Sequence, residues 1–308
     1  MQELVRIGTR GSPLALVQAN DVRARLAATT GRPIEAFEIR VIRTSGDRIQ
    51  DRPLADVGGK GLFTKEIEEA LLAGAVDLAV HSMKDVATTL PDGLTIAAML
   101  EREDVRDAFI SLQAPNLQAL PKGAIVGTSS LRRQAQILRI RPDLTVIGFR
   151  GNVETRLKKL VDGQAAATLL AVAGLKRLGM ADRITSAVGT DVMLPAAAQG
   201  AVGIEIRADD ATTHALVSAL DHGPTSTAVA AERAFLAVLD GSCRTPIAAL
   251  ARFVDGDIYF SGEVLSPDGR RHAATSRRGP RADAQRLATD AADELVKRFG
   301  RDYAGAPN

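Results

Sequence analysis

Along most of the chain, short β-branched or apolar runs alternate with stretches whose apolar positions recur at helical spacing. That alternation predicts strand–helix–strand units and largely parallel sheets. Predicted strands are Val5–Thr9, Phe37–Ile42, Leu78–His81, Ile125–Gly127, Thr145–Phe149 and Ala201–Ile206. Predicted helices are Pro13–Ala28, Thr64–Ala73, Leu131–Arg139, Asn152–Lys159 and Thr227–Leu239. The last third changes rhythm. Ile247–Phe253, Asp257–Leu265 and His272–Ser276 read as a strand meander, and Asp283–Phe299 as a terminal amphipathic helix. The expected fold is therefore α/β, with two similar lobes and a smaller third domain carrying a three-stranded sheet. Gly200-Ala-Val-Gly-Ile-Glu-Ile206 reads as another core strand, so a return of the chain to the first lobe is expected there. The stretch Asp47–Gly61 has few apolar anchors and contains Gly58, Gly59 and Gly61, which suits a loop or lid.

Three strand-to-helix turns repeat one local design: Ile7-Gly-Thr-Arg-Gly-Ser-Pro13, Val126-Gly-Thr-Ser-Ser-Leu-Arg-Arg-Gln134 and Ile147-Gly-Phe-Arg-Gly-Asn-Val153. Ser12 before Pro13 reads as a helix cap, as does Asn152, while Ser129 and Ser130 are alternatives for the middle helix. Helix starts offer free N–H groups and partial positive charge, and so hold anions. These starts also carry Arg10, Arg132, Arg133 and Arg150, with Arg156 one turn further on. Guanidinium forks match carboxylates geometrically. A single such arginine is better explained by solvation of a helix end. The set, placed after strands where α/β sheets bind ligands, points to a strongly anionic small molecule. None of the turns matches a P-loop or a full dinucleotide fingerprint.

Composition narrows the partners. The chain has 308 residues, 45% hydrophobic and 25% charged, an ordinary globular balance for two or three domains. Aromatics are only 3% and Trp is absent, which argues against base-stacking platforms for nucleic acid. Net charge is +2, so cationic sites must be local clusters. The N-terminal sequence has no signal-like apolar region. The longest apolar run, Ala165 to Leu175, falls short of the roughly 20 residues of a membrane span. A cytoplasmic protein without membrane or nucleic-acid partners is expected.

Two further features carry candidate chemistry. Ala79-Val-His-Ser-Met-Lys-Asp-Val86 ends a strand with His81, Lys84 and Asp85. Asp85 among cations would stay ionised and could stabilise positive charge on a substrate. A helix cap or an ion pair with Lys84 explains it equally well. His81 reads as a structural hydrogen-bonding residue. The four histidines are not grouped at ligand spacing and one cysteine makes no thiolate site, so no metal is expected. That cysteine, Cys243, lies in Leu239-Asp-Gly-Ser-Cys-Arg-Thr-Pro246. Its context fits a buried small hydrophobe or a reactive thiol about equally.

Eight motifs in order resemble the porphobilinogen deaminase (hydroxymethylbilane synthase) family over nearly the whole chain. They are Thr9-Arg-Gly-Ser-Pro-Leu-Ala15, Gly58-Gly-Lys-Gly-Leu-Phe63, Val80-His-Ser-Met-Lys-Asp-Val86, Gly127-Thr-Ser-Ser-Leu-Arg-Arg-Gln134, Arg150-Gly-Asn-Val-Glu-Thr-Arg156, Leu170-Ala-Val-Ala-Gly-Leu-Lys-Arg177, Ala231-Glu-Arg-Ala-Phe235 and the Cys243 loop. The resemblance implies two lobes like those of type II periplasmic binding proteins, 1–100 with 201–218 and 101–200, and a third domain 219–308. It implies a transferase of tetrapyrrole and haem biosynthesis, monomeric, that condenses four porphobilinogen molecules head to tail with loss of ammonia. The primer would be a dipyrromethane cofactor held by Cys243 through a thioether. By position, Asp85 would be the catalytic carboxylate. Lys84, Thr128, Ser130, Arg132, Arg133 and Arg156 would bind the cofactor, and Arg10, Ser12, Phe63, Arg150, Arg156 and Arg177 would contact substrate.

The chain departs from the family pattern in several places. Ser242 stands where a glycine is more usual before the cysteine, and Ala198 where a glycine usually precedes Gln199. Asp56 replaces a lysine of some relatives, and Gln164-Ala-Ala-Ala a more usual Tyr-Asp-Ala segment. The competing expectation is a two-lobed binding protein for an anionic small molecule, without turnover. It leaves Cys243 and Asp85 without a role.

Overall fold

The computed structural model describes residues 4–48, 61–239 and 245–300. In chain order its elements are β1 (Val5–Thr9), α1 (Pro13–Thr30), β2 (Phe37–Val41), α2 (Ser45–Arg48), α3 (Lys65–Leu72), β3 (Leu78–Ser82), β4 (Leu94–Met99), β5 (Asp107–Ser111), β6 (Ile125–Gly127), α4 (Leu131–Ile140), β7 (Thr145–Ile147), α5 (Val153–Val161), β8 (Ala167–Ala171), α6 (Val172–Arg177), β9 (Ser186–Val188), β10 (Val202–Arg207), α7 (Ala211–Ser218), α8 (Gly223–Val238), β11 (Ile247–Val254), β12 (Asp257–Leu265), β13 (His272–Pro280) and α9 (Ala284–Phe299). The chain forms two compact units, one of Met1–Arg52, Gly58–Glu103 and Gly200–Ser226, the other built mainly from Asp104–Gln199 and Thr227–Asn308.

In the first unit the strand order is β2-β1-β3-β10-β4. β1 runs parallel to β2 and β3, and β10 runs antiparallel to both β3 and β4. The expected return of the chain is therefore real, and it inserts a late strand between two early ones. Helix α1 covers one face through Ala19, Val22 and Leu26, which share a core with Ile7, Phe37, Leu78 and Ile204. Helix α3 contributes Ile67 and Leu71 to a separate core with Val76, Ala79 and Leu94. Gly203 on β10 has a steric reason: a Cβ there would lie 2.1 Å from Met83 Sδ.

The second unit repeats this plan in the order β7-β6-β8-β5-β9. β6 is parallel to β7 and β8, and β5 is antiparallel to β8 and β9. The series β6-α4-β7-α5-β8 thus matches β1-α1-β2-α3-β3, but here the antiparallel strand precedes the parallel ones. The same unit holds the antiparallel meander β11-β12-β13. Its core combines Phe235 of α8, Ile258 and Phe260 of β12, and Leu295 and Phe299 of α9. The rings of Phe235 and Phe260 stand 5.1 Å apart and tilted, and Gly262 lies beneath Phe235, where a Cβ would come within 2.5 Å. The meander is tied to the second lobe by Glu232, whose carboxylate accepts from Ala198 N at 2.5 Å and Ala251 N at 2.8 Å. Gln136 adds a hydrogen bond to Glu263.

The expected α/β class, paired lobes and three-stranded third sheet are all present. The elements missed were β4, β5, β8, β9, α2, α6 and α7. The run Ala165–Leu175 is apolar throughout, so periodicity could not divide it. It forms buried β8 and then turns into α6. β13 continues through Arg277 and Arg278 to Pro280, because its alternate residues face solvent and tolerate charge. Among the described residues no helix is long and apolar enough to cross a membrane.

Replacing Gly203 by alanine forces Met83 off β10. Gly203→Ala is expected to lower stability by about 1–3 kcal/mol, read from urea unfolding midpoints of the variant and parent chain.

Candidate active site

Each parallel strand ends in a turn that presents polar groups. In the first unit β1 leads to Arg10, and Ser12 Oγ accepts from Ala15 N at 3.3 Å to cap α1. Arg10 Nη2 donates to Asp47 Oδ1 at 2.5 Å, and its guanidinium lies 4.2 Å from the centre of the Phe63 ring. Thr44 Oγ1 donates to the other Asp47 oxygen at 2.8 Å. Gly46 makes room for Phe63, since a Cβ would sit 2.4 Å from the ring. Burial pushes the Asp47 carboxyl up, but hydrogen bonds and charge from Arg10, with Thr44, hold it below the usual carboxylate range. The sequence offered Arg10 and Phe63 as substrate contacts; their contact with each other, and Asp47 as the partner of Arg10, were not expected.

β3 is buried from Leu78 to His81 and ends in a 3-10 turn, Met83–Asp85. Three contacts hold that strand end. His81 Nε2 bonds Glu205 Oε2 at 2.9 Å, Gln18 Nε2 donates to Ser82 Oγ at 2.9 Å, and Met83 N donates to Ala201 O at 3.0 Å. His81 is thus structural, as expected. Asp85 closes the turn, so it does not cap a helix start. It is partly buried and has no ion pair among the described residues.

In the second unit Ser130 caps α4, its Oγ accepting from Arg133 N, and Ser129 Oγ instead accepts from Phe149 N at 2.9 Å. Thr128 is buried, and its Oγ1 accepts from Ser130 N at 3.2 Å. Asn152 caps α5 by accepting from Thr155 N at 2.8 Å. Arg150 ends the turn after β7, and Arg156 Nε donates to Gly151 O at 2.8 Å. Gly151 has φ +121, which an L side chain resists, and a Cβ there would also meet Thr155. Partly buried Arg177 ends α6, the helix that follows β8.

Arg132 and Arg133 are almost wholly buried, and both pair with Asp107, which is fully buried at the start of β5. Arg132 Nη2 reaches Asp107 Oδ2 at 2.8 Å, and Arg133 Nη2 reaches Oδ1 at 2.7 Å. Gln199 Nε2 donates to the same Oδ1 at 3.0 Å. Burial raises the Asp107 pKa, but the two guanidinium charges outweigh it and hold the carboxyl far below its ordinary range. Gln199 follows Ala198, whose φ of +60 is left-handed. The family's usual glycine at that position therefore has a conformational reason.

Cys243, Asp56, Ser242 and the glycines Gly58 and Gly59 lie outside the described residues. The described residues fit a carboxylate-bearing cofactor on one direct observation: Arg132 Nε is buried without a hydrogen-bond partner. A carboxylate oxygen would satisfy it.

Two α/β lobes of matching strand order carry arginines and capped helix starts at their parallel strand ends, the places where α/β proteins hold anionic ligands. The chain belongs to the porphobilinogen deaminase family. Residues 5–215 match the porphobilinogen deaminase, dipyromethane cofactor binding domain, and residues 226–297 match the porphobilinogen deaminase, C-terminal domain. Porphobilinogen deaminase of Nitrobacter hamburgensis is 61% identical over 97% of this chain and 95% of its own length. The Paracoccus denitrificans protein is 56% identical over 98% and 96%. The chloroplastic protein of Oryza sativa is 59% identical over 90% and 78%. A periplasmic substrate-binding protein from Coxiella burnetii is similar in structure only at TM-score 0.44 and 14% identity, over 75% of this chain and 97% of that one.

Two outcomes follow from this geometry. Asp47 has a depressed folded pKa, so its contribution is present above about 3.8 and is lost as pH falls through the lower folded value. Asp47→Asn is therefore expected to be less stable than the parent at neutral pH, with the gap closing in acid, as read by thermal melts. Ala198→Gly removes a left-handed strain of about 1–2 kcal/mol and returns about 0.4–1 kcal/mol of unfolded-state freedom. A small net rise in the unfolding midpoint is expected.

Proposed function

We infer that the chain acts as a porphobilinogen deaminase, condensing four porphobilinogen molecules head to tail and releasing ammonia and linear hydroxymethylbilane. Family membership over nearly the full chain carries this reading. The residue inventory fits the chemistry. Porphobilinogen bears acetate and propionate groups, so a lengthening polypyrrole demands many carboxylate-binding groups. Loss of ammonia from its aminomethyl group leaves an electron-poor azafulvene. Attack by a pyrrole α-carbon then produces a cationic ring that must lose a proton.

When bound, the dipyrromethane supplies the nucleophilic pyrrole carbon from which the chain grows. The Cys243 thiolate would hold it through a thioether. Asp85, a carboxylate with no ion pair among the described residues at a well-held strand end, would accept pyrrole N–H hydrogen bonds and stabilise positive charge at both stages. Lys84, Thr128, Ser130, Arg132, Arg133 and Arg156 would bind cofactor carboxylates. Arg10, Ser12, Phe63, Arg150, Arg156 and Arg177 would contact the incoming substrate or growing product. The division into domains 1–100 with 201–218, 101–200 and 219–308 belongs to the same reading. So do a cytoplasmic setting, a monomeric state and the absence of a nucleic-acid or membrane partner.

The intact mass of the purified protein, beside Cys243→Ser, tests the cofactor. Two linked pyrrole units on the parent and none on the variant are expected. An unmodified thiol that gains nothing from porphobilinogen would leave an anion-binding protein as the better account. Asp85→Ala is expected to fold normally and to lose about a hundredfold or more in turnover. Parent-like kinetics would remove Asp85 from the mechanism.

A further inference from the structure

We propose that Asp107 is a positioning residue that sets both the charge and the aim of Arg132 and Arg133. This rests on the reading of those arginines as holders of a cofactor carboxylate. The two guanidinium groups share the Asp107 carboxylate directly, and buried Glu263, bonded to Gln136, is a further negative charge acting on Arg132. The hydrogen bonds distribute the two arginines unequally. Arg133 is committed inward, with Nε and Nη2 on Asp107 Oδ1 at 3.2 and 2.7 Å and Nη1 on Leu169 O at 3.0 Å. Arg132 places Nη2 on Asp107 Oδ2 at 2.8 Å and Nη1 on Leu194 O at 2.8 Å. Its Nε is left buried and unsatisfied.

Asp107 is itself held firmly. It is the first residue of β5 and pairs with Ala171 of β8 and Val188 of β9. Gln199 supports one oxygen while also donating to Val105 O at 2.7 Å. A guanidinium locked this way loses little freedom when a ligand arrives. Without Asp107, two like charges with side chains only 5% and 7% exposed would lose the one carboxylate they both pair with. The ligand would then have to order both arginines as it bound.

The test is acquisition of the cofactor by apoprotein. Parent, Asp107→Asn and Gln199→Leu apoproteins are mixed with porphobilinogen, and the gain of the two-pyrrole mass, with one ammonia lost per unit, is followed against substrate concentration. Circular dichroism reports folding. Gln199→Leu preserves every charge and removes the neutral donor from Asp107, together with the bond to Val105 O. With its folding checked, it carries the test if Asp107→Asn does not fold. The expected result is a half-saturating porphobilinogen concentration raised about tenfold or more in folded Asp107→Asn, the scale of losing hydrogen bonds to a charged group. A smaller rise is expected in Gln199→Leu, with the limiting rate less affected in both. A purely structural role would lower the melting temperature and leave the half-saturating concentration at the parent value, and that result overturns the proposal. A parent protein that gains no such mass overturns the cofactor reading, and this proposal falls with it.

Discussion

An ionised carboxylate held entirely inside the protein by two arginines is the interaction on which the second unit turns. Removing one partner from a buried ion pair of this kind costs about 3–5 kcal/mol, because a charge is left in a medium that cannot solvate it. Asp107 therefore binds β5, the start of α4 and the Gln199 segment into one arrangement. The first unit has a weaker counterpart. Its inserted antiparallel strand, β10, carries fully buried Glu205, bonded to His81 on β3. In each lobe the antiparallel strand thus brings a buried carboxylate against elements that carry residues proposed for the site.

The positions of those groups follow from the parallel strands. A short turn from a parallel strand to a helix places a helix start, with its unpaired N–H groups, at the strand's carboxyl end. Ser12, Ser130 and Asn152 each satisfy part of such a start and leave the neighbouring arginine to act outward or inward. Arg10 follows β1, Asp85 follows β3, Thr128 to Arg133 follow β6, Arg150 follows β7 and Arg177 follows β8 by way of α6. One architectural rule, applied twice, places most of the described residues proposed for the site. Asp85 differs in sign from the arginines at the other strand ends, and has no ion pair among the described residues.

Local signals were legible wherever the responsible physics is local. Helix caps depend on a side chain reaching an N–H three residues away, and Ser12 and Asn152 could be read directly. β1, β6 and β12 agree with their expected bounds because turn residues bracket short apolar runs. The eight motifs identified the family and, with it, the chemistry. Interactions between distant residues left no such mark. Asp107 stands beside Arg106 in an undistinguished segment, and nothing nearby indicates that it meets arginines 25 and 26 residues later. Asp47 likewise read as part of a polar loop until Arg10, 37 residues earlier, proved to be its partner.

From its sequence alone, then, this protein is determined as an α/β deaminase-family chain with paired lobes, capped arginine turns and one distinctive carboxylate. Those properties are written in short-range spacing and in residue type. Tertiary structure alone decided that β5 and β10 run antiparallel within otherwise parallel lobes, that Arg132 and Arg133 face a buried anion, and that Ala198 occupies a left-handed conformation. Burial and long-range pairing set these features. Both depend on which surfaces exclude water once the whole chain has packed, a quantity no local window of sequence contains.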